Sequence, residues 1–367
     1  MKNAFAPAVS GAQAWSFAVV DGGGSTIYDA RADRAVVPAS VQKLIVAASA
    51  LDALGSDYRY HTIFAARDAV ADDGALDGNL GLVGSGDPSL DSSDLRDGVA
   101  MLARSGVRRI NGGVVVDATA LRGPELNPHW DRDDDGQDYA APISAVSVDG
   151  DTIAVHQVVD GVEQTLWAPM QGVAQHVAAL TQAMLVARGI APAAPPRVGA
   201  APLDTVTIWD HRSAPLRNLE THMLFVSDNH YAEQLLRSIP GGIEAEREFL
   251  ARRAIPTPGL RLFDGSGLSS DNRIAAVTLA RLLADSEPSL YLLLPLGGRQ
   301  GTLAGYDFTT ALGRVRAKSG HLADVSSLAG YVTTPHHGRV AFAFLIDGSP
   351  GNPDAAIVRA VDRLAAF

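Results

Sequence analysis

The amino-acid sequence predicts an α+β protein of two domains, one inserted into the other. At 367 residues the chain exceeds the usual size of a single domain. Both ends carry strand signals beside helical runs, whereas the middle alternates short apolar runs with Gly and Asp turns. A stiff run, Ala191-Pro192-Ala193-Ala194-Pro195-Pro196, closes that middle block. The expected division is residues 1–62 with 204–367 as one domain and 63–203 as an inserted, mainly β-containing second domain.

The elements follow in chain order. Trp15 to Val20 and Ile27-Tyr28, joined across Asp21-Gly22-Gly23-Gly24, predict a hairpin. Pro38 to Leu54 predicts a helix, with Pro38 in its first turn, Gly55 at its end and an almost continuous apolar run between. Such a helix is buried. In the middle block, residues 80–84, 113–117 and 152–156 read as strands, and 95–105 and 173–188 as helices. Further on, 222–238 reads as one helix, 326–332 and 339–346 as strong strands, and Asp354 to Phe367 as a final helix packing on them.

Composition bounds the function. The chain is 47% hydrophobic and 19% charged, as in a soluble globular protein. A net charge of −11 with no basic cluster argues against nucleic acid or an anionic membrane surface as the main partner. There is no cysteine, which excludes disulfides and thiolate metal sites. No stretch approaches the about 18 apolar residues of a membrane span, and Met1 to Val20 lacks the apolar core of a secretory leader.

Two polar residues interrupt the apolar helix, Ser40 and Lys43. Three residues apart, they share one helix face, so the amine can reach the hydroxyl. A serine hydroxyl is a weak nucleophile until a neighbouring base takes its proton. Lysine can be that base when burial beside another cation disfavours its charged form. Ser-x-x-Lys is nonetheless short, and a helix start in which Ser40 caps and Lys43 reaches solvent fits it too.

Weight comes from two further signals. Ser227-Asp228-Asn229 and Lys318-Ser319-Gly320 follow Ser40-x-x-Lys43 in the order of the active-serine penicillin-interacting enzymes. Longer stretches agree: Val83 to Leu90, Tyr139 to Ala145, Ser227 to Glu233, and Asp264-Gly265-Ser266-Gly267-Leu268-Ser269. On these, the chain resembles the D-alanyl-D-alanine carboxypeptidase/endopeptidase family, low-molecular-mass penicillin-binding proteins with a large inserted domain. The resemblance spans nearly the whole chain. It implies a β-lactamase/transpeptidase-like domain: an antiparallel sheet from the N-terminal hairpin and the C-terminal strands, flanked by helices that carry the serine and the Ser-Asp-Asn loop.

The resemblance also implies roles. Ser40 would be the acylated nucleophile, Lys43 its base, and Ser227 a proton relay toward the leaving amine. Asn229 would hydrogen-bond the acyl part of the substrate, and Lys318 with Ser319 would meet its terminal carboxylate, as a compact cation beside a hydroxyl can. The backbone N–H groups of Ser40 and His321 would form an oxyanion hole. Substrates would be peptidoglycan stem peptides, with β-lactams as inhibitors, no cofactor and a periplasmic or extracellular location. One departure stands out: His321 occupies a place that usually carries a hydroxyl, and a histidine there either donates an N–H to the substrate carboxylate or, as the more ordinary reading, points its ring to solvent.

Other readings of the scaffold are a β-lactamase or esterase, or a peptidoglycan-binding protein without catalysis. Ser40 and Ser227 stand 187 positions apart, far more than in a compact β-lactamase, and no glutamate motif for deacylation is recognisable. The remaining signals are weaker. Asp131 to Gly136 matches the first half of a calcium loop, but position twelve is Pro142, so it reads as a solvated acidic loop and no metal is assigned. His129 and Trp130 read as packing residues, His336-His337-Gly338 as a hairpin turn, and Ser266 and Ser269 as parts of a turn that shapes the site.

Overall fold

The computed structural model describes residues 11–159, 162–201, 205–348 and 353–367. The first ten residues, part of the leader reading, and the expected 203/204 boundary lie outside them. The chain divides into two compact units. Met1–Ser56, His129–Asp131 and Leu216–Phe367 form the first, and Asp57–Pro128 with Arg132–Pro215 form the second.

The first unit opens with β1 (Ala14–Val20) and β2 (Thr26–Ala30). Their turn is held by Asp21, whose Oδ1 accepts from the amides of Gly23 and Ser25 at 2.9 and 2.8 Å. After β3 (Ala35–Val36), a 3-10 turn over Ala39–Gln42 leads into α1 (Lys43–Leu54). Lys43 to Ala50 of α1 are buried without interruption, as the apolar run requires.

The second unit holds β4 (His61–Ala66), β5 (Ala75–Leu76), β6 (Leu80–Gly84), α2 (Ser92–Arg104), β7 (Arg109–Ile110) and β8 (Val114–Asp117). It continues with the hairpin β9 (Thr152–Val159) and β10 (Val162–Pro169), α3 (Val173–Ala187), β11 (Ala191–Pro192), β12 (Arg197–Val198) and β13 (Val206–Arg212). Its main sheet runs β12-β8-β6-β4-β13, parallel at β12, β8 and β6 and antiparallel beyond. Apolar residues of α2 and α3 pack with those strands into one core that includes Phe64, Leu82, Leu95, Val116 and Val177.

Two expectations change here. The Ala/Pro run is not a free linker: Ala191-Pro192 is β11, an edge strand parallel to β7, where proline's missing N–H is no loss. β13, expected to belong with the C-terminal segment, instead pairs antiparallel with β4 in the second unit.

The first unit resumes with α4 (Leu216–Val226), α5 (Asn229–Ser238), α6 (Ile243–Arg252), β14 (Ile274–Ala275), α7 (Ala276–Asp285) and the short α8 (Glu287–Leu290). It ends with β15 (Val315–Leu322), β16 (Val325–Thr334), β17 (Gly338–Asp347) and α9 (Asp354–Ala366). The sheet order is β15-β16-β17-β1-β2, antiparallel throughout, so chain ends more than 300 residues apart share one sheet.

Strand alternation explains how that sheet is covered. One face presents Phe17, Val19, Phe342, Phe344 and Leu328, which cluster with Ile357, Val361 and Leu364 of α9. The other presents Ala18, Ala341, Ala343 and Ala329, small enough for α7 to approach; there Tyr331 donates to Leu283 O at 2.8 Å, and Ser16 Oγ accepts from the amide of Ala276 at 3.0 Å. Phe344 sits between Phe17 and Phe342, with ring centroids at 5.2 and 5.1 Å. Phe344→Ala is therefore expected to cost about 3–5 kcal/mol of stability, measured by denaturant unfolding.

Candidate active site

Three pieces of the first unit build the site: the turn before α1, the break between α4 and α5, and β15. Ser40 lies in the 3-10 turn behind Ala39, which holds φ 50 although it is not glycine. A non-glycine residue there is strained by roughly 1 kcal/mol or more, and such strain gathers at functional sites. Lys43 begins α1. Its Nζ donates to Ser40 Oγ at 2.9 Å, to Asn229 Oδ1 at 2.7 Å and to the Ser266 carbonyl at 2.6 Å. Three oxygens thus surround the amine nitrogen.

The helix expected over 222–238 is broken at the Ser-Asp-Asn stretch. Ser227 adopts φ 65, and Asp228 caps α5 by accepting from the amide of Tyr231 at 3.0 Å. The break turns Ser227 toward β15 and leaves Asn229, first residue of α5, against Lys43.

On β15, Lys318 donates to Ser227 Oγ at 2.9 Å and to the Ser319 carbonyl at 2.6 Å. Ser319 donates to Thr302 Oγ1 at 2.9 Å. β15 runs so close to the 3-10 turn that a Cβ on Gly320 would lie 2.8 Å from Ser40 N and 3.0 Å from Val41 N. Only glycine fits. Ser40 with Lys43 and Ser227 with Lys318 thus form two serine–lysine pairs, with Asn229 joined to the first and the Ser319 carbonyl to the second.

His321 is placed differently. Its exposed ring sets Nε2 at 2.9 Å from Asp354 Oδ2 and 3.3 Å from the Tyr306 hydroxyl. Burial, with the Asp354 charge adding, pushes that hydroxyl's proton affinity up. Asp354 and Tyr306 carry no motif, so nothing in the sequence marked them as its neighbours.

Burial weakens the hold of both amines on their protons. Burial lowers the Lys43 pKa to about 8 although Asp264, Asp228 and Glu233 oppose it. Burial, then the charge of Lys43, pushes Lys318 well below the ordinary lysine range. The Asp264 to Ser269 turn does more than shape the site, since the Ser266 carbonyl binds Lys43. Trp130 Nε1 donates to Asp264 Oδ2 at 3.2 Å, and the His129 ring lies tilted against Phe263 with centroids at 4.5 Å. Among the described residues no group of three or more His, Cys, Asp or Glu is placed to hold a metal.

This sheet, with helices on both faces and a Ser-x-x-Lys turn at its edge, is the architecture of the active-serine penicillin-interacting enzymes. It superposes on penicillin-binding protein 4 of Haemophilus influenzae with a TM-score of 0.89, covering 100% of this chain and 99% of that one at 23% identity. A structure of that protein with a β-lactam bound matches at TM-score 0.81, 22% identity, 99% of this chain and 98% of that one.

The chain belongs to the D-Ala-D-Ala carboxypeptidase 3 (S13) family, whose model matches residues 3–161 and 158–366. It is 33% identical to a carboxypeptidase of Mycobacterium tuberculosis over 88% of this chain and 73% of the relative. It is 28% identical to a D-alanyl-D-alanine carboxypeptidase of an Actinomadura species over 98% of this chain and 82% of the relative. The chain is thus an enzyme of the serine D-Ala-D-Ala carboxypeptidase class.

Gly320→Ala should force β15 away from the 3-10 turn. A stability loss of about 1–3 kcal/mol is expected, with acylation by a β-lactam slowed more than unfolding explains, checked by melting and by intact mass on the same sample.

Proposed function

We propose that Ser40 attacks the carbonyl of a D-alanyl-D-alanine peptide bond in peptidoglycan stem peptides, giving an acyl-enzyme that water then hydrolyses. The observation that carries this is the 2.9 Å contact between Ser40 Oγ and the buried Lys43 amine. As the Oγ–carbon bond forms, the serine proton passes to Lys43 Nζ. As the carbon–nitrogen bond breaks, Ser227, bonded to Lys318, passes its proton to the leaving amine and is reprotonated from the lysines. The proton that left Ser40 thus ends on the amine, and Lys43 is neutral again for deacylation. The same steps in reverse order of partners let water take the place of the amine.

The other residues bind. Asn229 receives the amide of the acyl part, and Lys318 with Ser319 receives the terminal carboxylate. The backbone amide of Ser40, which β15 approaches at Gly320, supplies one oxyanion donor and that of His321 the other. Each such donor typically contributes about 3 kcal/mol to the transition state. A β-lactam presents a carbonyl and a carboxylate in a similar arrangement, its amide strained by the four-membered ring, so it acylates Ser40. Action on the peptides of the mature cell wall implies a periplasmic or extracellular enzyme; no helix among the described residues is long and apolar enough to cross a membrane.

Release of D-alanine from a peptide ending in D-Ala-D-Ala tests this. The parent protein should release it, and Ser40→Ala should lose at least about 10³-fold in rate; retention of activity within tenfold would exclude Ser40 as nucleophile.

A further inference from the structure

Behind Ser40 and Lys43 lie buried carboxyls that the reaction leaves unused: Glu233 of α5, Glu246 of α6 and Asp264, all at 1% exposure or less. Their contacts lead to Lys43. Glu233 Oε1 accepts from the amides of Gly265 and Ser266 at 2.9 and 2.8 Å. The carbonyl of that same Ser266 holds Lys43 Nζ at 2.6 Å. One residue on, Gly267 has φ 80, and a Cβ there would collide with the Ala39 carbonyl and lie 3.1 Å from Ser40 N. The turn thus presses on both members of the pair.

Asp264 anchors the far side of the turn. Its oxygens accept from the amides of Gly267 and Ser269 at 3.0 and 2.7 Å, from Asn272 Nδ2 at 2.7 Å and from Gln42 Nε2 at 3.1 Å. Gln42 immediately precedes Lys43, so this anchor is fixed to α1 itself. Glu233 takes its two backbone donors on one oxygen, and the Ser266 side chain adds a hydrogen bond. Burial, with the Asp264 charge adding, pushes Glu233 above the ordinary carboxylate range, and Glu246 is pushed up by burial and by both neighbours.

We propose that Glu233 is a positioning residue for acylation: by clamping the Gly265 and Ser266 amides it aims Lys43 at Ser40, and its charge governs how readily Lys43 gives up its proton. This rests on the reading of Lys43 as base. The charged groups facing Lys43 are Asp264, Asp228 and Glu233, each favouring its ammonium form, and Lys318 across the site. Glu233 faces Asp264, Lys43 and Glu246. The sign follows. An ionised Glu233 stabilises the ammonium, so its removal frees the neutral amine at lower pH.

The test is the rate of Ser40 acylation by benzylpenicillin, read by intact mass across the neutral and alkaline range, in the parent, Glu233→Gln and Glu233→Ala. Glutamine keeps an acceptor for both amides but carries no charge. In Glu233→Gln, the limb on which acylation rises with pH should move to lower pH. Glu233→Ala, with parental circular dichroism, should acylate on the order of 10²-fold more slowly because the amine is no longer aimed, and glutamine should restore most of that loss. A Glu233→Gln profile that coincides with the parent's or moves to higher pH overturns the charge role. Parental rates in Glu233→Ala overturn the clamp. A parent not acylated at Ser40 overturns the reading of the pair itself and this inference with it.

Discussion

An amine that is to take a proton from serine near neutral pH must be kept from water without being stranded in an apolar interior. Lys43 meets both conditions. It is fully buried, which favours the neutral form, and three oxygens surround its nitrogen: when the amine is neutral, the Asn229 and Ser266 oxygens can accept its two N–H groups while its lone pair faces the Ser40 hydroxyl. Those oxygens come from the 3-10 turn, from α5 and from the Asp264 to Ser269 turn, so one side chain ties together segments more than 200 residues apart. The fold's task is to bring these pieces to one amine. The helix start supplies Ser40, the break at Ser227 supplies Asn229, and the sheet edge delivers Lys318 and Ser319 to the other side.

Much of this was legible in the sequence because its signals are local. The apolar run around Lys43, the hairpin before it and the two strong C-terminal strands each follow from residue period, and the three short motifs mark the polar groups that interrupt them. What escaped depends on long-range contact. The break at Ser227 is concealed because the residues on either side favour helix, and only the requirement to face Lys318 places Ser227 at positive φ. β13 has the pattern of a strand whichever sheet it joins, and its partner β4 lies about 140 residues away. Glu233 and Asp264 sit in recognisable stretches, yet nothing local shows that they hold the carbonyl under the lysine.

His321 shows the limit of carrying a motif from residue to residue. A hydroxyl in that place offers a donor directly, whereas this ring has its Nε2 held by Asp354 and Tyr306. Its other nitrogen donates only when the ring is protonated, since a neutral imidazole carries a single N–H. Lys318 and Ser319, the residues proposed to receive a terminal carboxylate, are both buried and both fixed by neighbours.

The central claim is that Ser40, paired with a buried Lys43, is the nucleophile, and intact-mass measurement after exposure to benzylpenicillin addresses it most directly. Run side by side, the parent should gain the mass of one drug molecule and Ser40→Ala should gain none. An adduct that persists in Ser40→Ala, or a parent that neither gains the mass nor turns the drug over, would contradict the account.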